Sequence, residues 1–121
     1  MSQADFRPIA YVKDRCPWSL KFRLFLLEAG LQDRFDFREF APGDDREAAI
    51  RAELAPHFTQ PTFPTVQIAP DVYMRESDDL IAHYAAVYGV DLASLPTLDQ
   101  YVRGPLVTIA ELRAEIAQLR R

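Results

Sequence analysis

Cysteine occurs once in the 121 residues, at Cys16. A single thiol excludes an intrachain disulfide and a cysteine-rich structural zinc site. Histidine is nearly as scarce. His57 and His83 stand far apart with no clustered carboxylates, so no metal site is expected and both read as surface or satisfied core positions. Apolar runs are short, as at Leu24 to Leu27, and none can span a bilayer. A basic excess is missing too: fourteen Lys and Arg face eighteen Asp and Glu, a net charge of −4. That balance argues against a nucleic-acid binder, which needs a basic face. Met1 to Pro8 are mixed polar and lack the apolar core of a secretory signal. A lone free thiol fits a reducing compartment, so the cytoplasm is the expected location.

What remains is an ordinary globular balance, 49% apolar and 26% charged, in a chain long enough for one domain without a staple. Ile9 to Val12, apolar on both faces, reads as a short buried strand. Pro17 to Ala29 reads as a helix, with Leu20, Leu24, Leu27 and Leu31 on one stripe and Gly30 at its end. Phe22, Phe25 and Leu26 add apolar surface on other faces, so cover on more than one side is expected. Phe35 and Phe37 alternate with charged residues in a second strand. Asp44 and Glu47 resemble a capping box for a helix over Arg46 to Ala55, whose charges read as a solvated face. Thr65 to Ile68 and Val72 to Met74 form a hairpin around Pro70-Asp71. Ser77 caps a further helix that carries Leu80, Ile81, Tyr84 and Val87 and closes at Gly89. The order is β-α-β-α-β-β-α, with helices expected on both faces of a small mixed sheet.

Cys16 falls where the first strand ends and the first helix begins. There a thiol faces unsatisfied N–H groups and the positive end of the helix dipole. Both favour thiolate, and Lys13 and Arg15 add positive charge. Pro17 suits the first helical turn. Ser19 is placed to donate a hydrogen bond to the sulfur but cannot form a disulfide with it. A lone cysteine is also compatible with a small buried hydrophobe; the placement and the cations favour reactivity. Trp18 reads two ways, lining the thiol pocket or anchoring the core.

The segment Tyr11 to Ser19, with Cys16-Pro17-Trp18-Ser19 at its centre, resembles the active-site segment of glutaredoxins. The resemblance implies that Lys13 binds a glutathione carboxylate, and that Ser19, standing in place of a resolving cysteine, leaves a monothiol mechanism. Thr62-Phe63-Pro64-Thr65-Val66 is similar to the family's Thr-Val-Pro segment. The resemblance implies a cis bond before Pro64 and a Phe63 backbone that pairs with the cysteinyl part of glutathione. On the residues alone, Pro64 reads as an edge-strand proline with a trans bond. Gln60 matches a family glutamine, with Pro61 after it as a departure. Arg75 to Leu80 resembles both the Gly-Gly-x-Asp-Asp-Leu of glutaredoxins and the Glu-Ser of glutathione transferases. That likeness implies that Ser77 and the helix N-terminus hold the γ-glutamyl carboxylate while Glu76 or Asp78 pairs with the amine. A plain helix cap predicts much the same letters.

Together these matches imply a thioredoxin-like α/β fold of glutaredoxin type over residues 1–89, with a helical extension over 90–121. They imply glutathione as ligand, with Arg15 and Trp18 beside Lys13 at the site, and Cys16 and Ser19 as the catalytic pair. The expected activity is monothiol reduction of glutathionylated proteins or small disulfides. The alternatives are a glutathione-binding module, such as a [2Fe–2S] carrier, or a truncated transferase-like protein. In the tail, Gly104-Pro105 reads as a helix entry, and Ile109, Leu112, Ile116 and Leu119 form one apolar stripe. That stripe is expected to dock on the first and third helices in a monomer, with a homodimer seam as the poorer reading.

Overall fold

The computed structural model describes residues 6–120. The part of Met1 to Pro8 that precedes residue 6 lies outside the described residues. Four strands form one sheet in the order β2-β1-β3-β4, made of β1 (Ile9–Lys13), β2 (Asp36–Phe40), β3 (Thr65–Ala69) and β4 (Val72–Arg75). β1 pairs with β2 in parallel and with β3 antiparallel, and β3 and β4 make the expected hairpin. The parallel pair needs a crossover, and α1 (Pro17–Glu28) supplies it. α2 (Asp45–Leu54) lies between β2 and β3, and α3 (Ser77–Tyr88) follows β4.

β1 is buried at its centre, and its alternating side chains divide between two cores. Ala10 and Val12 join the larger core with Phe22, Phe25, Leu26, Leu80 and Tyr84 from α1 and α3. Tyr11 joins Phe40, Ile50 and Leu54 in the smaller core under α2. The leucine stripe of α1 is buried only in part: Leu31 lies in the larger core and Leu24 packs against it. Leu20 and Leu27 are 48% and 58% exposed, while Phe22, Phe25 and Leu26 are fully buried. Aromatic volume wins this competition, because Phe22 meets the rings of Phe35 and Tyr84 across the core.

Local signals set most of the ends. Asp44 caps α2, accepting from the N–H groups of Arg46 and Glu47, while Glu47 reaches back one residue further than a capping box, to Gly43. Gly89 closes α3 in the left-handed conformation. Ser77 is a correction. It is the first residue of α3 rather than its cap, and Glu76 takes the cap position at φ +78° without a capping side chain. Val87, expected on the inner face of α3, is exposed.

Two further helices complete the chain, α4 (Pro96–Arg103) and α5 (Pro105–Leu119), with Pro105 in the first turn of α5 as read from the sequence. No helix among the described residues is long and apolar enough to cross a membrane. α4 has no capping side chain of its own. The carboxylate of Glu28, at the end of α1, accepts instead from the N–H groups of Thr97 and Leu98, at 2.9 and 2.8 Å. Leu98 is buried, and α4 thereby packs on α1. The apolar stripe of α5 does not cover α1 and α3 as expected: Leu112, Ile116 and Leu119 are exposed, and only Leu106 is buried. The reach of α5 is set by α4, which takes the place on α1 first.

Burial pushes the Glu28 carboxyl up, but the Leu98 and Thr97 donors together outweigh it and leave its pKa below the ordinary glutamate value. A depressed carboxylate stabilises the fold above its unfolded pKa, and this contribution fades as the pH falls through the folded one. Thermal unfolding of wild type and Glu28→Gln is therefore expected to differ at neutral pH, with wild type the more stable. The gap should close in acid below the ordinary glutamate range. A gap that stays constant with pH would show that the charge on Glu28 does not hold α4.

Candidate active site

Cys16 caps α1 from the end of the β1 loop. Its Sγ accepts from the N–H of Ser19 at 3.4 Å, so one of the helix's unsatisfied donors faces the sulfur. The thiol lies 3.7 Å from the carbonyl oxygen of Phe63 and donates to it. Phe63 precedes a cis bond to Pro64, so the trans edge-strand reading of Pro64 is corrected. Ser19 is fully buried, and its hydroxyl accepts from the backbone N–H of Lys13 at 3.1 Å. It ties β1 to α1. The expected hydroxyl donation to sulfur is replaced by its backbone N–H.

Two concave spaces share Trp18, Thr62 and Phe63, and the first of them is lined by Cys16. The first, 210 Å³, brings Lys13, Arg15, Arg51 and Arg113 together beside Cys16, and no carboxylate lines it. The second, 220 Å³, ends at Pro64, Glu76 and Ser77, where α3 begins. Its far wall combines a helix N-terminus, which suits an anion, with one acid, which suits an amine. Trp18 lines both spaces, which places it at the pocket rather than in the core. Backbone strain sits at both ends of the site: Arg15 and Glu76 hold φ of 63° and 78°, a region that favours glycine.

Two residues of the expected set lie apart from these spaces. Asp78 pairs with the ammonium of Lys21, whose side chain is 8% exposed. That pair joins α1 to α3 and draws Asp78 away from the pocket. Gln60 lines a neighbouring hollow with Arg75 and Glu76, and its carbonyl accepts from Arg75. Sequence reading missed Arg51 and Arg113. Arg51 belongs to the helix read as a solvated charged face, yet its guanidinium lies 5.4 Å from the ring centre of Phe63. Arg113 comes from α5, and no local pattern ties it to Cys16.

On the other side of Cys16 a larger cleft of 510 Å³ is lined by Pro17, Leu20, Tyr101 and Ile109, with Lys13 and Arg23 at its polar edge. The Tyr101 hydroxyl donates to the carbonyl of Pro17 at 2.8 Å and so fixes α4 against the start of α1. Burial pushes its pKa up, and the Cys16 sulfur adds to the shift, so the hydroxyl stays a donor. Ile109 brings the first part of the α5 stripe to this cleft.

A mixed sheet with helices on both faces, a cysteine at the first helix N-terminus and a cis-proline loop facing it define a thioredoxin-like domain. The sequence matches the family model for the glutathione S-transferase N-terminal domain over residues 11–90, and the chain belongs to that family. Among solved structures it is similar to glutathione transferase Omega 3C from Trametes versicolor, with a TM-score of 0.52 and 20% identity. That likeness is one of fold. It covers 84% of this chain and 44% of the other, so the chain spans less than half the length of that protein. No curated protein sequence matches it.

Proposed function

We propose that the chain is a monothiol, glutathione-dependent thiol–disulfide oxidoreductase, acting in a reducing cytoplasm as a monomer through Cys16. The observation that carries this reading is the sulfur itself. It sits at a helix N-terminus with a backbone donor at 3.4 Å, in a cationic hollow that shares Trp18, Thr62 and Phe63 with a second hollow ending at the start of α3. Glutathione has a thiol between two carboxylate-bearing ends, one of which also carries an amine. The two spaces match that charge order: Lys13 and its neighbouring cations at the glycyl end, Ser77 and Glu76 at the γ-glutamyl end.

As thiolate, Cys16 attacks the glutathionyl sulfur of a mixed disulfide. The substrate sulfur leaves with the bonding pair and takes up a proton. A second glutathione thiolate then attacks the glutathionyl sulfur held by Cys16. Cys16 departs as thiolate, and glutathione disulfide is released. One protein sulfur suffices for both steps, and the sequence has one. The cleft beside Tyr101 favours a second reading, in which glutathione is transferred to an electrophile seated there.

Intact mass spectrometry after exposure to oxidised glutathione tests the first reading. One added glutathione is expected on wild type and none on Cys16→Ala. A chain that stays unmodified, yet conjugates glutathione to an electrophile such as a chlorodinitrobenzene, would favour the transferase reading instead.

A further inference from the structure

Four cations line the 210 Å³ hollow beside Cys16, and three of them, Lys13, Arg15 and Arg113, make no ion pair among the described residues. Arg51 is held by Glu47 at 2.8 Å. Unpaired cations gathered in one concavity repel one another, so their clustering calls for an anionic ligand. Lys13 and Arg15 precede the cysteine in sequence and would lie there in any case. Arg113 does not. It reaches the hollow from α5, beyond residues 11–90, which the family model matches.

Its placement has a visible cause. The guanidinium carbon of Arg113 lies 5.1 Å from the ring centre of Trp18, which forms the wall shared by both spaces. A guanidinium stacked on an indole keeps its edge N–H groups free for a planar acceptor such as a carboxylate. Held against Trp18, the Arg113 guanidinium lines the hollow beside Lys13 and Arg15.

We infer that Arg113 is a ligand-binding residue for the glycyl carboxylate of glutathione, closing a clamp with Lys13. This rests on the glutathione reading above and adds to it: α5 is part of the binding site, and the domain defined by the family match is not the whole of it. Two chain segments far apart in sequence then grip one carboxylate. The docking of α4 through Glu28 and Tyr101 holds the second of them in place.

Calorimetric titration of the full chain with reduced glutathione and with its glycyl ethyl ester, which lacks that carboxylate, tests the inference. Arg113→Gln is expected to weaken glutathione binding about tenfold, as for a partly exposed charge-assisted hydrogen bond. Wild type should bind the ester more weakly still, because the ester also loses the Lys13 contact, and Arg113→Gln should bind the ester no worse than wild type does. Arg113→Lys, which keeps the charge without the fork, should fall between. An equal loss for both ligands would mean that Arg113 acts by supporting Trp18 or the fold, and would overturn the inference. So would unchanged binding in Arg113→Gln. Failure of wild type to bind either ligand would instead remove the glutathione reading itself.

Discussion

Cys16→Ser is expected to lower turnover of a glutathione mixed disulfide by about a thousandfold or more, while the protein stays folded. The chemistry needs a sulfur that is both nucleophile and leaving group, and a serine hydroxyl is neither near neutral pH. The fold should tolerate the change because Cys16 is the cap of α1, and serine is among the best residues for that position. Its oxygen can accept the Ser19 N–H that the sulfur now accepts. Loss of activity with an unchanged or raised Tm would separate chemistry from structure. A Cys16→Ser protein that still reduces the mixed disulfide would end the oxidoreductase reading, since no other cysteine exists to take over. Wild type should show ping-pong kinetics with strict dependence on glutathione, the signature of two exchanges through one sulfur.

Phe22→Ala is expected to give the largest loss of stability, about 3–5 kcal/mol for a fully buried phenylalanine. Phe22 is inaccessible to solvent and sits where α1, α3 and the start of β2 meet, with the rings of Phe25, Phe35 and Tyr84 around it. Truncation removes the transfer free energy of the ring and leaves a cavity that neighbouring aromatics cannot fill without leaving their own contacts. Such a loss is a large share of the total for a domain of this size. Leu27→Ala makes the contrast. Leu27 lies on the leucine stripe but is 58% exposed, so its replacement should cost less than about 1 kcal/mol. Chemical denaturation of both variants decides between the two faces of α1. Comparable losses would mean that the leucine stripe carries as much of the core as the phenylalanines do.

The α1 face shows why periodicity alone misled. Leucines at i, i+4 and i+7 form a valid stripe, and so do Phe22, Phe25 and Leu26, which are offset around the same helix. Sequence spacing finds apolar faces but does not rank them. The ranking comes from what lies opposite, and Phe35 and Tyr84 arrive there from distant parts of the chain. The same limit governs α5, where a regular stripe was visible but its cover was not. Its outer residues are exposed because α4 occupies the surface of α1 that the stripe was expected to reach.

The sequence by itself determined what depends on neighbours along the chain. It set the element order, the cap at Asp44, the turn at Pro70-Asp71, the left-handed ends at Gly30 and Gly89, and the single sulfur at the start of α1. These follow from backbone donors, allowed φ and side chains a few residues apart, so local letters suffice. The tertiary structure decided the rest of the site. It drew Asp78 to Lys21, set the carbonyl of Phe63 against the thiol, and brought Arg51 and Arg113 into one hollow with Lys13. Each of these joins segments separated by tens of residues. Whether such groups meet depends on how the helices pack on the sheet and on each other, and no spacing within one segment encodes that.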